Sequence, residues 1–328
     1  MNESMYFLRS EQHFLDKFEF KRGKIIENAK VEYGYVGTPK YDDDGNITNA
    51  ILFCHNFQGD YSTISDFRHL TESNGIFDKK NYFFISITSL GFPESCAPST
   101  TGLKRDFPDY EIEDLVNFQK RLLEEKFPNI KKLYGIIGYS LGGYIALGWS
   151  VFYPDDMEFI IHFKSSYKVQ GFKYIYASLS NQIIESSQQY ETDIYDESMS
   201  QALILVSQLH YIMSFSKKHI SSMSIDEINF SMETFTDRVL FYDIFDIKKC
   251  NDFMIETNLE NDLDKIKCKV LIIGVNNNHY SIPEVDSIPI HKAVKNSEYV
   301  LLDVLDKPND LDYIYKIEDD IKKFLDSI

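Results

Sequence analysis

Apolar runs with the length of buried strands alternate with helix-like segments along most of this chain. The runs occupy positions 50–59, 81–91, 132–139, 158–166, 268–275 and 298–304. An earlier strand is expected at 31–38, followed by a polar hairpin turn. Positions 110–126 carry apolar residues at helical spacing with acidic residues at the start, which is typical of an amphipathic helix. The alternation predicts an α/β fold, a mostly parallel sheet with helices on both faces.

This alternation stops between about Tyr167 and Asp262. The segment is polar and helix-like, and its most apolar stretch is "SQALILVSQLHYIMSF". We therefore predict a helical lid inserted at 167–262 into a core domain that consists of 1–166 and 263–328. An amphipathic segment that begins at Asp312 predicts a closing C-terminal helix.

The strand at 132–139 leads into "GYSLGGYIALGW", where residues 138–142 fit the pattern G-x-S-x-G. A buried strand before the pattern and an apolar helix after it are typical of a nucleophile elbow, a sharp turn that exposes a serine hydroxyl. We predict Ser140 as the nucleophile and the backbone N–H of Leu141 as an oxyanion donor. The loop "HNFQG" predicts a second donor, the N–H of Phe57. His55 in that loop is a candidate substrate contact, although we expect it to order the loop through hydrogen bonds to the backbone.

These motifs resemble the homoserine O-acetyltransferase family of acyltransferases with the α/β-hydrolase fold. The likeness is weakest in the predicted lid, and it is carried by "CHNFQGD", "NYFFISITSLGFPESCAPST", "DFPDYEIEDLVNFQKRLLEE", "IGYSLGGYIALGWSVFYPD" and "DLDKIKCKVLIIGVNNNHYSIP". The resemblance implies an α/β-hydrolase fold and a Ser-Asp-His triad that passes an acyl group from acetyl-CoA or a similar thioester to a small amino-acid hydroxyl. It also implies a possible homodimer formed through the lid, for which "ALILVSQLHYIMSF" is a candidate face.

Two members of that triad are missing from the positions where the resemblance places them. Asn278 stands in place of the aspartate after "VLIIG", and Asn309 stands in place of the histidine after the last strand. No histidine follows His291 in the sequence. A serine hydroxyl is a poor nucleophile until an imidazole accepts its proton. Ordinary turnover is therefore not expected from Ser140, Asn278 and Asn309 alone.

A different histidine would have to act as the base. His279 adjoins the aligned acid position at the correct end of the sheet and is the best substitute, with His55 second. His162 alternates with apolar strand residues and is expected to be a core residue. His210 and His219 lie in the predicted lid, and they reach the pocket only if the lid folds down over it.

Composition narrows the choice of partners. The formal net charge of −17, from 51 acidic and 34 basic residues, disfavours binding to nucleic acid or to an anionic membrane. The N-terminal segment has no signal-peptide pattern and the chain has no apolar run of 18 residues, which predicts cytoplasmic residence. The expected partner is a small-molecule acyl donor or acceptor, whose carboxylate Arg238 is a candidate to bind.

Cysteine usage and motifs give no sign of a metal or another cofactor. The four cysteines are widely spaced and are expected to be reduced structural thiols: Cys54, Cys96, Cys250 and Cys268. No phosphate-binding loop and no metal-ligand spacing occurs in the sequence. Neither a metal nor a cofactor is predicted.

Two functions are compatible with the sequence. The first is acyl transfer, or ester or thioester hydrolysis, through Ser140 with a diverged base, so that activity is altered or impaired. The alternative is a catalytically inactive pseudoenzyme that keeps the pocket to bind a small ligand or a protein partner. Asparagine side chains suit such binding because they both donate and accept hydrogen bonds.

Overall fold

An eight-stranded sheet forms the centre of the protein. The computed structural model describes residues 7–57, 59–72, 75–192, 194–195, 197–239, 242–276, 279–304 and 310–328. The strands are β1 (Arg9–Glu19), β2 (Ile25–Gly37), β3 (Ala50–Cys54), β4 (Phe83–Ile87), β5 (Leu133–Tyr139), β6 (Met157–Phe163), β7 (Lys269–Val275) and β8 (Ser297–Leu302). They lie in the order β1-β2-β4-β3-β5-β6-β7-β8. The first two pairings, β1 with β2 and β2 with β4, are antiparallel and the rest are parallel, which confirms the predicted fold class.

Helices pack against this sheet and follow most of its strands. They are α1 (Arg68–Thr71), α2 (Pro98–Thr101), α3 (Ile112–Lys126), α4 (Leu141–Phe152), α5 (Phe172–Glu185), α6 (Gln188–Thr192), α7 (Glu197–Ser214), α8 (Lys217–Ser222), α9 (Ile225–Val239), α10 (Ile244–Glu256), α11 (Ser287–Ala293) and α12 (Glu318–Leu325). Short 3-10 helices cover Tyr61–Phe67, Lys104–Asp106, Glu260–Lys265 and Asp310–Ile317. Among the described residues, no helix has both the length and the apolar character needed to cross a membrane.

Strand side chains alternate between two hydrophobic cores, one on each face of the sheet. In β3, Leu52 and Cys54 belong to the core that includes residues of α3 and α4. Ile51 and Phe53 of the same strand belong to the opposite core, together with Phe324 of α12. Because both faces are covered, a strand of this sheet is apolar at every position, and the burial of all five residues of β3 explains its continuous hydrophobic run. All four cysteines are buried and free.

Strand β1 was not predicted from the sequence. It pairs with β2 from Arg9 opposite Tyr35 to Glu19 opposite Ile25, and it forms an edge of the sheet. Of its eleven residues, only Leu15 and Phe18 are buried. An edge strand with one partly covered face carries few apolar residues, so its periodicity is too weak to identify.

The polar segment after β2 is a turn, but it does not join neighbouring strands. Strand β4 lies between β2 and β3 in the sheet, so the predicted turn does not pair the two strands that flank it. The segment closes on itself instead, through a bridge between Tyr41 and Ile47. The N–H groups of Asp44 and Asn46 donate to the carboxylate of Asp42, which stabilises the turn. Turn-forming residues determine a local reversal of the chain, but they do not determine which strands pair in the sheet.

The helices α5 to α10 lie between β6 and β7, in the segment predicted as an insertion. Helices α5, α7 and α10 share a core of their own that includes Ile184, Leu203 and Phe245, and the loop residue Phe57 packs against it. The exact domain limits and a lid function stay predictions. The dimer face stays a prediction too: within 202–215, Leu205 and Ile212 are 45% and 52% exposed, respectively.

A buried carboxylate connects this helical insertion to the core domain. Asp246, in the first turn of α10, accepts hydrogen bonds from the backbone N–H (2.9 Å) and the Oγ–H (2.6 Å) of Ser99 in α2. Burial raises the pKa of Asp246 to about 7, and the charge of Asp243 adds to the effect. The folded protein therefore holds this proton at pH values where the unfolded chain has released it.

We expect Asp246→Asn to flatten the dependence of stability on pH. Since the pKa of this carboxyl is higher in the folded state, its stabilising effect is complete below about pH 4 and is lost as the pH rises towards 7, by up to about 4 kcal/mol. Asparagine reproduces the shape of the protonated acid. The melting temperature of the variant should therefore exceed that of the wild type at pH 8 and equal it near pH 4. An equal difference at both pH values would contradict the prediction.

Candidate active site

Ser140 occupies a sharp turn between a strand and a helix. Strand β5 ends at Tyr139 and helix α4 begins at Leu141, and Ser140 between them has φ 55° and ψ −113°. Its N–H donates to the carbonyl of Phe163 (2.9 Å), and its carbonyl accepts from the N–H of Gly143 (3.0 Å). A non-glycine residue at positive φ is strained and persists where its surroundings hold it. This geometry is that of a nucleophile elbow.

Two glycines allow the elbow to form. A Cβ atom on Gly138 would lie 2.2 Å from the carbonyl oxygen of Gly142. A Cβ atom on Gly142 would lie 1.9 Å from the carbonyl oxygen of Cys54, at the end of β3. The glycines of the motif therefore bring the elbow, the start of α4 and the loop after β3 into direct backbone contact.

Ser140 opens into a cavity of about 170 Å³ between the sheet and the helical insertion. The core domain contributes Asn56, Phe57, Tyr139, Ser140, Leu141, Tyr144, Lys164, Ser165 and Tyr280. The insertion contributes Tyr176 from α5, His210, Met213 and Ser214 from α7, and Met254 from α10. The lining combines aromatic and apolar side chains with polar or charged ones, which are those of Asn56, Ser140, Lys164, Ser165, His210 and Ser214.

The cavity brings together the three residues predicted to form the nucleophile and the oxyanion donors. Leu141 is the first residue of α4, so no carbonyl of its own helix is available to its N–H. Phe57 lines the same cavity from the loop after β3. The donor roles of the Leu141 and Phe57 N–H groups stay predictions, and their placement beside Ser140 fits them.

His55 is a structural residue and not a substrate contact. It is fully buried, its Nδ1 lies 2.7 Å from the carbonyl of Asn56, and its Nε2 accepts from the N–H of Ser89 (2.9 Å). Burial lowers the pKa of His55 to about 4, so the ring is neutral with Nδ1 as the donor. With both nitrogens bonded to the backbone, the ring orders the loop, which corrects its candidacy as a substrate-binding residue.

The best substitute base from the sequence, His279, is not among the described residues that line the cavity. It is half-buried, and burial together with the charge of Lys217 lowers its pKa. His162 is buried in the core as expected, with Nε2 3.3 Å from the carbonyl of Ser166. Among the described histidines, the one that shares the cavity with Ser140 is His210, from the helical insertion.

For three further predicted residues, the side chain is outside the part of the protein that the structure describes. Asn278 and Asn309 lie outside the described residues, and so does the side chain of Arg238. Their assignment to the triad positions and to substrate binding rests on the sequence.

Sequence reasoning missed Lys164, Tyr176 and Tyr280, which line the cavity. Lys164 directly follows β6 at the carboxyl edge of the sheet, and its N–H donates to the carbonyl of Ile273 in β7 (3.0 Å). Its position after a parallel strand was a usable signal, since ligands bind at that edge. Tyr176 had no such signal, because it lies in a helix whose placement depends on how the insertion packs.

A strained serine elbow on a mostly parallel sheet, facing a cavity that is lined in part by helices inserted after β6, defines an α/β-hydrolase-fold protein. No family model matches the chain. A probable acyltransferase of Methanothermobacter thermautotrophicus is 38% identical over 289 residues, which cover 88% of this chain and 89% of the relative. A homoserine O-acetyltransferase of Leptospira biflexa is 27% identical over 300 residues, 79% of this chain and 77% of the relative. The chain belongs to the homoserine O-acetyltransferase-like family of the α/β-hydrolase superfamily.

Solved structures support the same fold. An acetylester hydrolase from Corynebacterium glutamicum superposes with a TM-score of 0.84 at 20% identity, covering 97% of this chain and 96% of the neighbour. A homoserine O-acetyltransferase from Bacillus anthracis superposes with a TM-score of 0.80 at 19% identity, covering 98% of each chain. Transferases and hydrolases thus share this architecture.

Proposed function

We propose that the protein transfers an acyl group, or hydrolyses an ester or thioester, through an acyl-enzyme formed on Ser140. The strained elbow carries this proposal, because it places Ser140 in the lining of a cavity. The N–H of Leu141 and the loop at Phe57 border the same space, where an oxyanion would develop. Losing one such donor typically costs about 3 kcal/mol of transition-state stabilisation, so their arrangement matters for the rate.

The proposal includes a departure from the usual triad. Asn278 and Asn309 occupy the positions that the family resemblance assigns to the acid and the base. In a serine protease, replacing the triad aspartate by asparagine lowers kcat about 10⁴-fold, while the oxyanion hole and binding retain about 10³-fold over water. We expect slow turnover compared with an enzyme that has an intact triad.

The cavity favours a small acyl group. Its volume is about 170 Å³, and aromatic and methionine side chains surround the space beside Ser140. Acetyl and similar short acyl chains fit such a space, in agreement with the acetyltransferase and acetylester hydrolase names of the relatives. The acceptor is water or a small hydroxyl compound, and a carboxylate on it is the group that Arg238 is predicted to bind.

Labelling with a fluorophosphonate probe tests the proposal. We expect the probe to modify Ser140 of the wild-type protein, and Ser140→Ala to abolish both the labelling and the hydrolysis of p-nitrophenyl acetate. The matched control is Ser150→Ala, because Ser150 lies on the same helix α4, is buried, and donates to the carbonyl of Leu147. Labelling of this control should equal that of the wild type.

An unlabelled protein that is folded and shows no ester hydrolysis would overturn the proposal. That result would favour the pseudoenzyme alternative, in which the cavity binds a small ligand or a protein partner without turnover. A ligand that raises the melting temperature without being consumed would then identify the binding function.

A further inference from the structure

We infer that His210, on helix α7 of the insertion, is the catalytic base that accepts the proton of Ser140. This inference rests on the proposed acyl transfer through Ser140. It places the imidazole on the inserted helices, whereas the family resemblance places it after the last strand of the sheet. The missing histidine at position 309 would thus be replaced from the opposite side of the cavity.

The position of the ring carries the inference. His210 and Ser140 line the same cavity, and aromatic side chains from three separate elements hold the imidazole. Its centroid lies 5.8 Å from that of Phe57 in the loop after β3, 5.3 Å from that of Tyr176 in α5, and 5.8 Å from that of Phe235 in α9. The contacts with Phe57 and Phe235 are edge-to-face, with interplanar angles of 83° and 84°. The ring is therefore fixed beside the residue predicted to supply an oxyanion donor.

The ring nitrogens of His210 are available for chemistry. Within the part of the chain that the structure describes, neither nitrogen makes a hydrogen bond. Ring nitrogens of other histidines have partners. Both nitrogens of His55 bond to the backbone, Nε2 of His13 bonds to Glu125, and Nδ1 of His291 bonds to Ser297. His210 is half-buried at the cavity wall, so its unbonded nitrogens are accessible to a substrate that enters the cavity.

Its protonation state suits a base. Burial among the aromatic rings, together with the charge of Lys164, lowers the pKa of His210 to about 4. The ring is therefore neutral near pH 7, with one nitrogen free to accept a proton. A low proton affinity makes it a weaker base than an ordinary imidazole, which agrees with the slow turnover expected above.

The proton and electron movements balance with groups already present. As Oγ of Ser140 attacks the acyl carbonyl carbon, its proton passes to the unprotonated nitrogen of His210, and the carbonyl electron pair moves onto the oxygen. When the oxyanion collapses, the leaving group departs with the proton of the imidazolium. Water or an acceptor hydroxyl then repeats the sequence on the acyl-enzyme. Among the described contacts, no hydrogen bond joins Oγ to His210, and catalytic hydrogen bonds commonly tighten when substrate binds.

The test measures the rate of Ser140 acylation by p-nitrophenyl acetate in His210→Gln, His210→Ala, His279→Gln and Ser140→Ala. His219→Gln is the matched control, since His219 lies on α8 of the same insertion and does not line the cavity. We expect His210→Gln to lower the rate about 10²- to 10⁴-fold. Free imidazole should restore part of the rate in His210→Ala, which a purely structural loss would not allow. Melting temperatures verify that each variant is folded.

The outcomes test the role of His210 separately from the proposed function of Ser140. If Ser140→Ala abolishes acylation while His210→Gln retains it within about three-fold, the inference fails and the proposed function stands. A large loss in His279→Gln alone would likewise overturn it in favour of His279. If free imidazole does not restore the acylation rate that His210→Ala loses, His210 has a structural role and the inference fails. Absence of wild-type acylation would overturn the proposed function, and the inference with it.

Discussion

Gly142→Ala is expected to lower the free energy of unfolding by more than about 3 kcal/mol and to leave little folded protein. The added Cβ would lie 1.9 Å from the carbonyl oxygen of Cys54 and 2.9 Å from that of His55. Both atoms belong to the backbone, one at the end of a central strand. They cannot move away unless β3 shifts within the sheet or α4 separates from the loop after β3. Urea denaturation followed by circular dichroism measures the change.

Gly148→Ala is the matched control for this prediction, because it lies on the same helix. A Cβ at Gly148 would meet only side-chain atoms, Cγ1 of Ile112 at 2.9 Å and Cγ2 of Val116 at 3.1 Å. Those atoms can shift by rotamer changes, and alanine gains about 1 kcal/mol of helix propensity over glycine. We expect a change within about 1 kcal/mol. Equal stabilities of the two variants would show that the contact between the elbow and β3 is not rigid.

The core of the fold was predictable because its strands are covered on both faces. Such strands are apolar at every position, as β3 and β7 show, and a continuous run is easy to recognise. The order of the strands was not predictable, since β4 lies between β2 and β3 through long-range packing that no local pattern records. Strand β1 was missed for a related reason. It lies at the edge of the sheet, where most of its side chains face solvent and are polar, so it has no continuous apolar run.

In the candidate site too, the residues next to recognisable strands were predictable and the residue from the helical insertion was not. Ser140, Leu141 and Phe57 were predicted because each lies directly after a recognisable strand, and parallel strands present their carboxyl ends at one edge. His210 lies in the middle of α7, and its approach to Ser140 depends on how six helices of the insertion pack against the core domain. Helical periodicity predicts which face of a helix is buried, but it does not predict which part of the protein that face packs against. The replacement for a lost histidine was therefore hidden in the segment that resembles the family least.

Acylation of Ser140 is expected to keep nearly its full rate down to pH 5. A base acts only when unprotonated, so the rate falls as the pH drops through its pKa. With a pKa of about 4, about 90% of His210 is still unprotonated at pH 5, whereas about 3% of an imidazole with the ordinary value of about 6.5 would be. Among the described residues, the titratable and charged groups that face the ring are Lys164, whose charge lowers the pKa of His210, and Tyr176, whose own pKa burial raises. The acylation burst with p-nitrophenyl acetate between pH 4 and 8 gives the profile.

Lys164→Met should move that profile in a known direction. Without the lysine charge, the imidazolium form of His210 is less disfavoured, so the pKa of His210 rises and the fall in rate begins at a higher pH. Because Lys164 lines the cavity, its substitution can change the absolute rate for other reasons. The pH at which the rate falls is therefore the quantity that tests whether His210 is the base. A wild-type rate that decreases about 25-fold between pH 7 and 5 would reveal a base with an ordinary pKa and exclude the desolvated ring of His210 from that role. An inflection that Lys164→Met leaves unmoved would show that the titrating group lies away from this lysine.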